Sequence, residues 1–211
     1  MKPVDSLIFD MDGTLWDAVD SYVKVWDATF EAFGLSSTVD RENLITCMGL
    51  PINEIYARLV GDDSIREKYL KLLDDNENSM MLTLGGRLYP GVRETIPELA
   101  KSRRLFMVSN CGAQGLPNFL RFTGLGPYFT DTASHGSTGL GKADNIRMLI
   151  TRYGLESPVY VGDTAGDCTA AHAAGIPMIH AAYGFGTAPD ADCEMTAFDQ
   201  LPDILDNISR Q

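Results

Sequence analysis

The sequence predicts an α/β protein: a doubly wound parallel sheet with an α-helical subdomain inserted near its start. Three observations carry that expectation. From residue 86 onward, short apolar runs alternate with helical patterns, the arrangement that builds a parallel sheet. Near the N-terminus, Val4-Asp5-Ser6-Leu7-Ile8-Phe9 is mostly apolar and reads as a buried strand. Alone it cannot bury both of its faces, so it must join the same sheet. Between these regions, residues 17–83 carry helical periodicity and no convincing strand.

The elements follow in order. From Asp17 to Phe33, the residues Val19, Tyr22, Val23, Trp26, Phe30 and Phe33 recur at helical spacing, with Gly34 as the stop. Ile52, Ile55, Tyr56, Leu59 and Val60 form a second helix, with Pro51 in its first turn and Gly61 behind it. Ile65, Tyr69, Leu72 and Leu73 begin a third, which runs to Met80 or Met81. The aromatic stripe reads as core. After Gly85-Gly86, the turn Tyr89-Pro90-Gly91 opens a helix through Val92, Ile96 and Leu99, which Pro97 should kink or restart. Leu105–Val108 reads as a buried strand, Leu116–Leu120 as a helix and Phe129–Ala133 as a weaker strand. A helix opens at Lys142, and Pro158–Val161 is a strand. Cys168–Ala174 is a helix closed by Gly175, Pro177–His180 a strand, and Phe198–Leu205 a closing helix. The division expected is a core of residues 1–16 and 85–211, and a helical segment of 17–84. Linkers near 15–17 and 84–87 would let that segment move as a lid.

Composition narrows the partners. The chain has 211 residues, with 17 Lys and Arg against 29 Asp and Glu, for a net charge of −12. A nucleic acid or an anionic membrane needs a basic surface, so both are disfavoured. Four cysteines, at 47, 111, 168 and 193, have no metal-ligand spacing and read as reduced thiols. No signal-peptide pattern opens the chain, and no run approaches the ~20 apolar residues of a membrane span. A cytoplasmic protein, monomer or homodimer, is the expectation.

The first strand ends in Asp10-Met11-Asp12-Gly13-Thr14-Leu15. Ligands of parallel sheets bind at the carboxyl ends of strands, which puts Asp10 and Asp12 at the mouth of a site. On its own this stretch also reads as an acidic turn. Further polar groups fall at expected strand ends or helix starts: Ser109-Asn110, Lys142, and Gly162-Asp163 with Asp167 four residues on. Taken singly, Ser109, Asn110, Asp163 and Asp167 could be turns or caps, and Lys142 a solvated surface lysine.

Taken together and in this order, the four features resemble the haloacid dehalogenase superfamily of phosphohydrolases. They resemble in particular its phosphoglycolate-phosphatase-like branch, which carries a helical cap after the first motif. Tyr89-Pro90-Gly91-Val92 and the alanine-rich stretch ending at Gly175 are similar to that branch too. Ala143, where relatives often have proline, and Trp16, where many have a smaller residue, depart from it. The resemblance implies a Rossmann-like core.

Physical chemistry supports such a site. Asp10, Asp12, Asp163 and Asp167 would converge, and two like charges ~4 Å apart repel by roughly 4 kcal/mol at an effective dielectric near 20. All-oxygen donors favour a hard divalent cation, Mg²⁺ first. Ser109 and Lys142 would offer a hydroxyl donor and a fixed charge to phosphate oxygens. The resemblance implies that Asp10 is the nucleophile and Asp12 the acid and base. It implies that Asp10, Asp12 (through its carbonyl) and Asp163 hold Mg²⁺, while Asp167 orients a metal-bound water or Lys142. It implies further phosphate hydrogen bonds from Gly13, Thr14 and Asn110. The expected function is hydrolysis of a small phosphorylated metabolite. A phosphomutase on the same core and a non-catalytic phosphate-binding regulator are the alternatives. Met48-Gly49-Leu50 and Arg58 are candidates to contact the leaving group.

Overall fold

Ser6–Phe9 forms β1, and every residue of it is buried. In this computed structural model, which describes residues 3–210, β1 lies inside a six-stranded parallel sheet of order β5 (Asp131–Ser134), β4 (Arg104–Ser109), β1, β6 (Pro158–Gly162), β7 (Met178–Ala181) and β8 (Cys193–Met195). Its neighbours are β4 and β6, paired in register from Ser6 to Phe9. Side chains alternate across a strand, so Leu7 and Phe9 join one apolar cluster and Ile8 the other. The first cluster takes in the apolar faces of α5 (Val92–Leu99), α6 (Gly115–Thr123) and α10 (Leu201–Arg210). The second is closed by α8 (Lys142–Tyr153) and α9 (Ala165–Ala173). Burying side chains such as Phe9, Phe106 and Tyr160 contributes roughly 1.5–3 kcal/mol each.

Between β1 and the rest of the sheet lie α1 (Val19–Ala32), α2 (Arg41–Ile45), α3 (Ile52–Leu59) and α4 (Arg66–Leu84). Trp26, Phe30, Phe33, Tyr56 and Tyr69 form one aromatic cluster at their centre, with ring centroids 5.2–6.4 Å apart. The stripe is therefore core, although Trp26 also reaches a cavity.

The linkers hold more structure than the sequence reading gave them. Trp16–Asp17 (β2) pairs antiparallel with Arg87–Leu88 (β3), so Asp17 opens no helix. Asp17 also holds Arg41 in an ion pair. The short helix α2 was missed, although Asp40 and Asn43 form a reciprocal capping box at its start. Pro51 precedes α3 as its cap rather than sitting in its first turn. Helix α5 runs through Pro97 and ends two residues later. The strand expected at Phe129–Ala133 is β5, at Asp131–Ser134. Helix α9 starts three residues before Cys168, because the Thr164 side chain caps it. Strand β7 (Met178–Ala181) is followed by an unforeseen three-residue edge strand, β8 (Cys193–Met195). A one-turn helix, α7 (His135–Thr138), precedes α8. Among the described residues the four cysteines are free, and no helix is long and apolar enough to cross a membrane.

Candidate active site

Three adjacent strands, β4, β1 and β6, end side by side and deliver Ser109, Asp10 and Asp163 to one edge of the sheet. Asp10 and Asp163 each stand one residue beyond their strand, where the backbone leaves the ladder. Asp10, Asp163 and Asp167 are buried, and one carboxylate oxygen from each lies within 4.8 Å of the others. Lys142, also buried, places Nζ 3.0 Å from Asp10 Oδ1 and 2.5 Å from Asp167 Oδ1. It opens α8, where the helix dipole disfavours a cation, so the two carboxylates offset both that and its desolvation.

The local sequence explains these positions. Gly13 has φ +81°, and a Cβ there would overlap the Asp163 carboxylate. Gly184 meets the other side of Asp163 as closely, and Phe185 N–H donates to Asp163 Oδ2 at 2.8 Å. Asp167 completes the capping box of α9, accepting from Thr164 N–H at 3.0 Å and Thr164 Oγ1 at 2.7 Å, while turning Oδ1 to Lys142. The loop around Gly184 escaped the sequence reading. Its only sign was the glycine-rich run Tyr183–Gly186 after a strand.

Charge is unbalanced here. Burial, with Asp167 close by, pushes Asp10 up to about 6 despite Lys142. Burial pushes Asp163 up to about 8, with Asp167 and Asp10 adding to it. Burial also raises Asp12 well above the carboxylate range, and Asp10 beside it adds to that. Burial would raise Asp167 too, but the Lys142 ammonium outweighs it and holds Asp167 low. Lys142, which burial alone would lower, is held well above its ordinary value by Asp10 and Asp167. One ammonium for this set of carboxylates leaves a deficit that protons or a divalent cation must meet.

Several candidate residues have other partners. The half-buried Asp12 carboxylate stands outside the three-carboxylate cluster; it accepts from Trp16 Nε1 at 2.8 Å and from Tyr22 OH at 3.5 Å. The metal role expected for Asp12 runs through its backbone carbonyl and does not depend on that carboxylate. Gly13 N–H is bonded to the Trp16 carbonyl at 2.9 Å, so it is not free for phosphate. Thr14 is fully buried and its hydroxyl points to Asp163 Oδ1 at 3.4 Å. Both Asp167 oxygens are engaged within the protein, which favours its role on Lys142. Ser109 Oγ accepts a long bond from Cys111 N–H, 3.3 Å, which leaves its own proton to donate. Asn110 Nδ2 donates to the Gly49 carbonyl at 2.8 Å, joining the strand end to the α2–α3 loop.

A cavity of about 160 Å³ lies between these strand ends and the helices. That is below the roughly 300–1,000 Å³ of pockets for drug-sized ligands, so it suits a small molecule. Met48, Gly49 and Leu50 line it, whereas Arg58 is exposed and does not. Trp16 is buried against Phe119 and holds Asp12, outside the cavity lining. Tyr22, Trp26, Asp74 and Glu77 also line it, and none was singled out for the site from the sequence.

Comparison with known proteins bears on the family and the fold. A phosphoglycolate phosphatase of Photobacterium profundum is 26% identical over 94% of this chain and 94% of its own length. One of Nitrosospira multiformis is 28% identical over 91% of this chain and 90% of its own. The crystal structure of a predicted phosphoglycolate phosphatase from Haemophilus somnus superposes with a TM-score of 0.86 at 20% identity, over 97% of this chain and 99% of that one. CbbY from Rhodobacter sphaeroides, solved in complex with phosphate, gives 0.79 at 19% identity, over 94% and 96%. These two structures support the fold. The family model for haloacid dehalogenase-like hydrolases matches residues 7–181, and the chain belongs to that family.

Proposed function

We propose that this hydrolase is a Mg²⁺-dependent phosphatase that cleaves a small phosphorylated metabolite in two steps, with the phosphoryl group carried on Asp10. The observation that supports it most is Asp10 itself. It is a buried carboxylate at a strand end, facing a cavity, with Lys142 Nζ at 3.0 Å and Asp163 and Asp167 beside it. The two curated relatives above, each named as a phosphoglycolate phosphatase, favour a phosphomonoester substrate.

The donor set fits a hard cation: oxygen ligands, closely spaced, short of positive charge. Asp10, the Asp12 carbonyl and Asp163 would hold it, and when bound it would neutralise phosphate oxygens. Asp10 attacks phosphorus, and the bond from phosphorus to the leaving oxygen breaks. Asp12, whose carboxyl keeps its proton because it is desolvated and beside Asp10, gives that proton to the leaving oxygen. The Asp12 carboxylate then takes a proton from the water that attacks the phosphoryl group and frees Asp10. Trp16 Nε1 fixes Asp12 for both transfers. Ser109 Oγ and Lys142 Nζ face the phosphate oxygens, with Asn110 available when its bond to Gly49 opens. In this reading residues 17–84 are a cap that covers the leaving group, and residues 1–16 with 85–211 are the core.

Hydrolysis of p-nitrophenyl phosphate tests the proposal. Turnover should require Mg²⁺, stop with chelator, and fall at least about a thousandfold in Asp10→Asn. Full activity in that variant would remove Asp10 as nucleophile.

A further inference from the structure

The helical side of the cavity carries its own charge. Helix α1 contributes Tyr22 and Trp26, and α4 contributes Asp74 and Glu77. Residues three apart share a helix face, so both carboxylates leave α4 on the same side. Opposite them lie Cys111 and Gly112 of the loop after β4. The Glu77 carboxylate accepts no hydrogen bond and meets no cation among the described residues. Asp74 accepts only from the Asn78 side chain, at 3.2 Å. Lys142 is the only cation lining the cavity among the described residues, and Asp10 and Asp167 already hold it.

A leaving group that ends in a carboxylate or a second phosphate would meet Asp74 and Glu77 with no counter-charge. A leaving group that ends in an amine would meet two unmatched carboxylates and two aromatic rings, the surroundings that hold ammonium groups. We infer that the preferred substrate is a phosphomonoester of an amino alcohol, its cationic end held by Asp74 and Glu77 beside Tyr22 and Trp26. This rests on the phosphatase reading and sharpens it, and it sets this chain apart from relatives named for phosphoglycolate. A cavity of about 160 Å³ suits a short chain between phosphate and amine.

The test compares kcat/KM for 2-aminoethyl phosphate, its trimethylammonium analogue, 2-hydroxyethyl phosphate and 2-phosphoglycolate, with p-nitrophenyl phosphate as the control for the core. At pH 8, above the value of about 7 to which burial raises Glu77, the wild type should favour an aminoalkyl ester over 2-phosphoglycolate by about a hundredfold, roughly tenfold for each ionised carboxylate. The Asp74→Asn/Glu77→Gln double variant should compress that ratio by at least about tenfold, mainly through KM, because these groups touch the leaving group and not phosphorus. A merely structural role would lower all the esters together and leave the ratio intact, which would overturn the inference. Equal or better turnover of 2-phosphoglycolate by the wild type would also overturn it while leaving the phosphatase standing. If no ester is hydrolysed, p-nitrophenyl phosphate included, the phosphatase reading falls and this one with it.

Discussion

On the core side of the cavity, Ser109 and Asp10 line the wall from two strand ends, and Asp163 stands beside Asp10 at the end of a third. Their backbones are held by the sheet, and their side chains by Lys142, Thr14 and Phe185 N–H. On the helical side, Tyr22, Trp26, Asp74 and Glu77 project from two helices, and the α4 carboxylates have almost no protein partners. The core wall is held by internal bonds, as a site that must keep a reacting atom in place requires. The helical wall keeps its carboxylates available for something from outside. Such a division suits chemistry on one side and choice of leaving group on the other.

The contrast can be broken at several points. Lys142→Met removes the one ammonium among the core carboxylates, and breaking a buried pair typically costs 3–5 kcal/mol. Proton uptake by Asp10 and Asp163 softens that loss, so about 3 kcal/mol is expected from denaturant titration at pH 8, with turnover essentially lost. Mg²⁺ should raise the melting temperature of the wild type, by an amount equivalent to about 2.7 kcal/mol at a hundred times its dissociation constant. Asp163→Asn should abolish that shift, and a shift that persists would move the cation elsewhere.

Trp16→Phe keeps most of the ring packing on Phe119 and deletes the bond to Asp12. It should slow an alkyl phosphate by up to about tenfold, the upper end of what one hydrogen bond between neutral groups contributes. The step that releases p-nitrophenolate, which leaves without a proton, should slow less. Equal effects on both would deny Asp12 its acid role.

The smallest effect belongs to the helical wall. Burial, with Asp74 nearby, pushes Glu77 up to about 7. Asp12, Tyr22 and Cys111 also face it across the cavity. A carboxyl raised in the folded state keeps its proton there while the unfolded chain loses its own. Stability is therefore lost as pH rises from the ordinary glutamate range to about 7, and is flat above. Glu77→Gln should escape this loss, melting higher than the wild type at pH 8 than at pH 5 by the equivalent of about 1 kcal/mol, after discounting for solvent around the half-exposed group. No pH dependence in the difference would mean that Glu77 is well solvated.

The same contrast decided what could be read from the sequence. An apolar run that stops at Asp10, at Ser109 or before Asp163 marks a strand end by a sharp change of residue type, and strand ends of one parallel sheet share an edge. Asp74 and Glu77 sit in Leu72-Leu73-Asp74-Asp75-Asn76-Glu77-Asn78, where five polar residues in a row have equal claim to solvent. Only the packing of α4 against α1 and α6 selects the face turned to the cavity. Trp16 was ambiguous because its ring packs in the core while its Nε1 reaches Asp12, a double use that spacing does not reveal. The partners of Gly13 N–H and of the Thr14 hydroxyl were hidden for the same reason: one depends on a tight turn, the other on a residue 149 positions away.

Two-step chemistry on Asp10 is tested most directly by rapid mixing of Asp12→Asn with p-nitrophenyl phosphate and Mg²⁺. The first step needs no acid with this leaving group, and the second still needs a base. A burst of one p-nitrophenolate per site, followed by slow turnover and absent from the Asp10→Asn/Asp12→Asn double variant, is the predicted result. Steady turnover with no burst, or a burst that survives in the double variant, would contradict a phosphoryl group carried on Asp10.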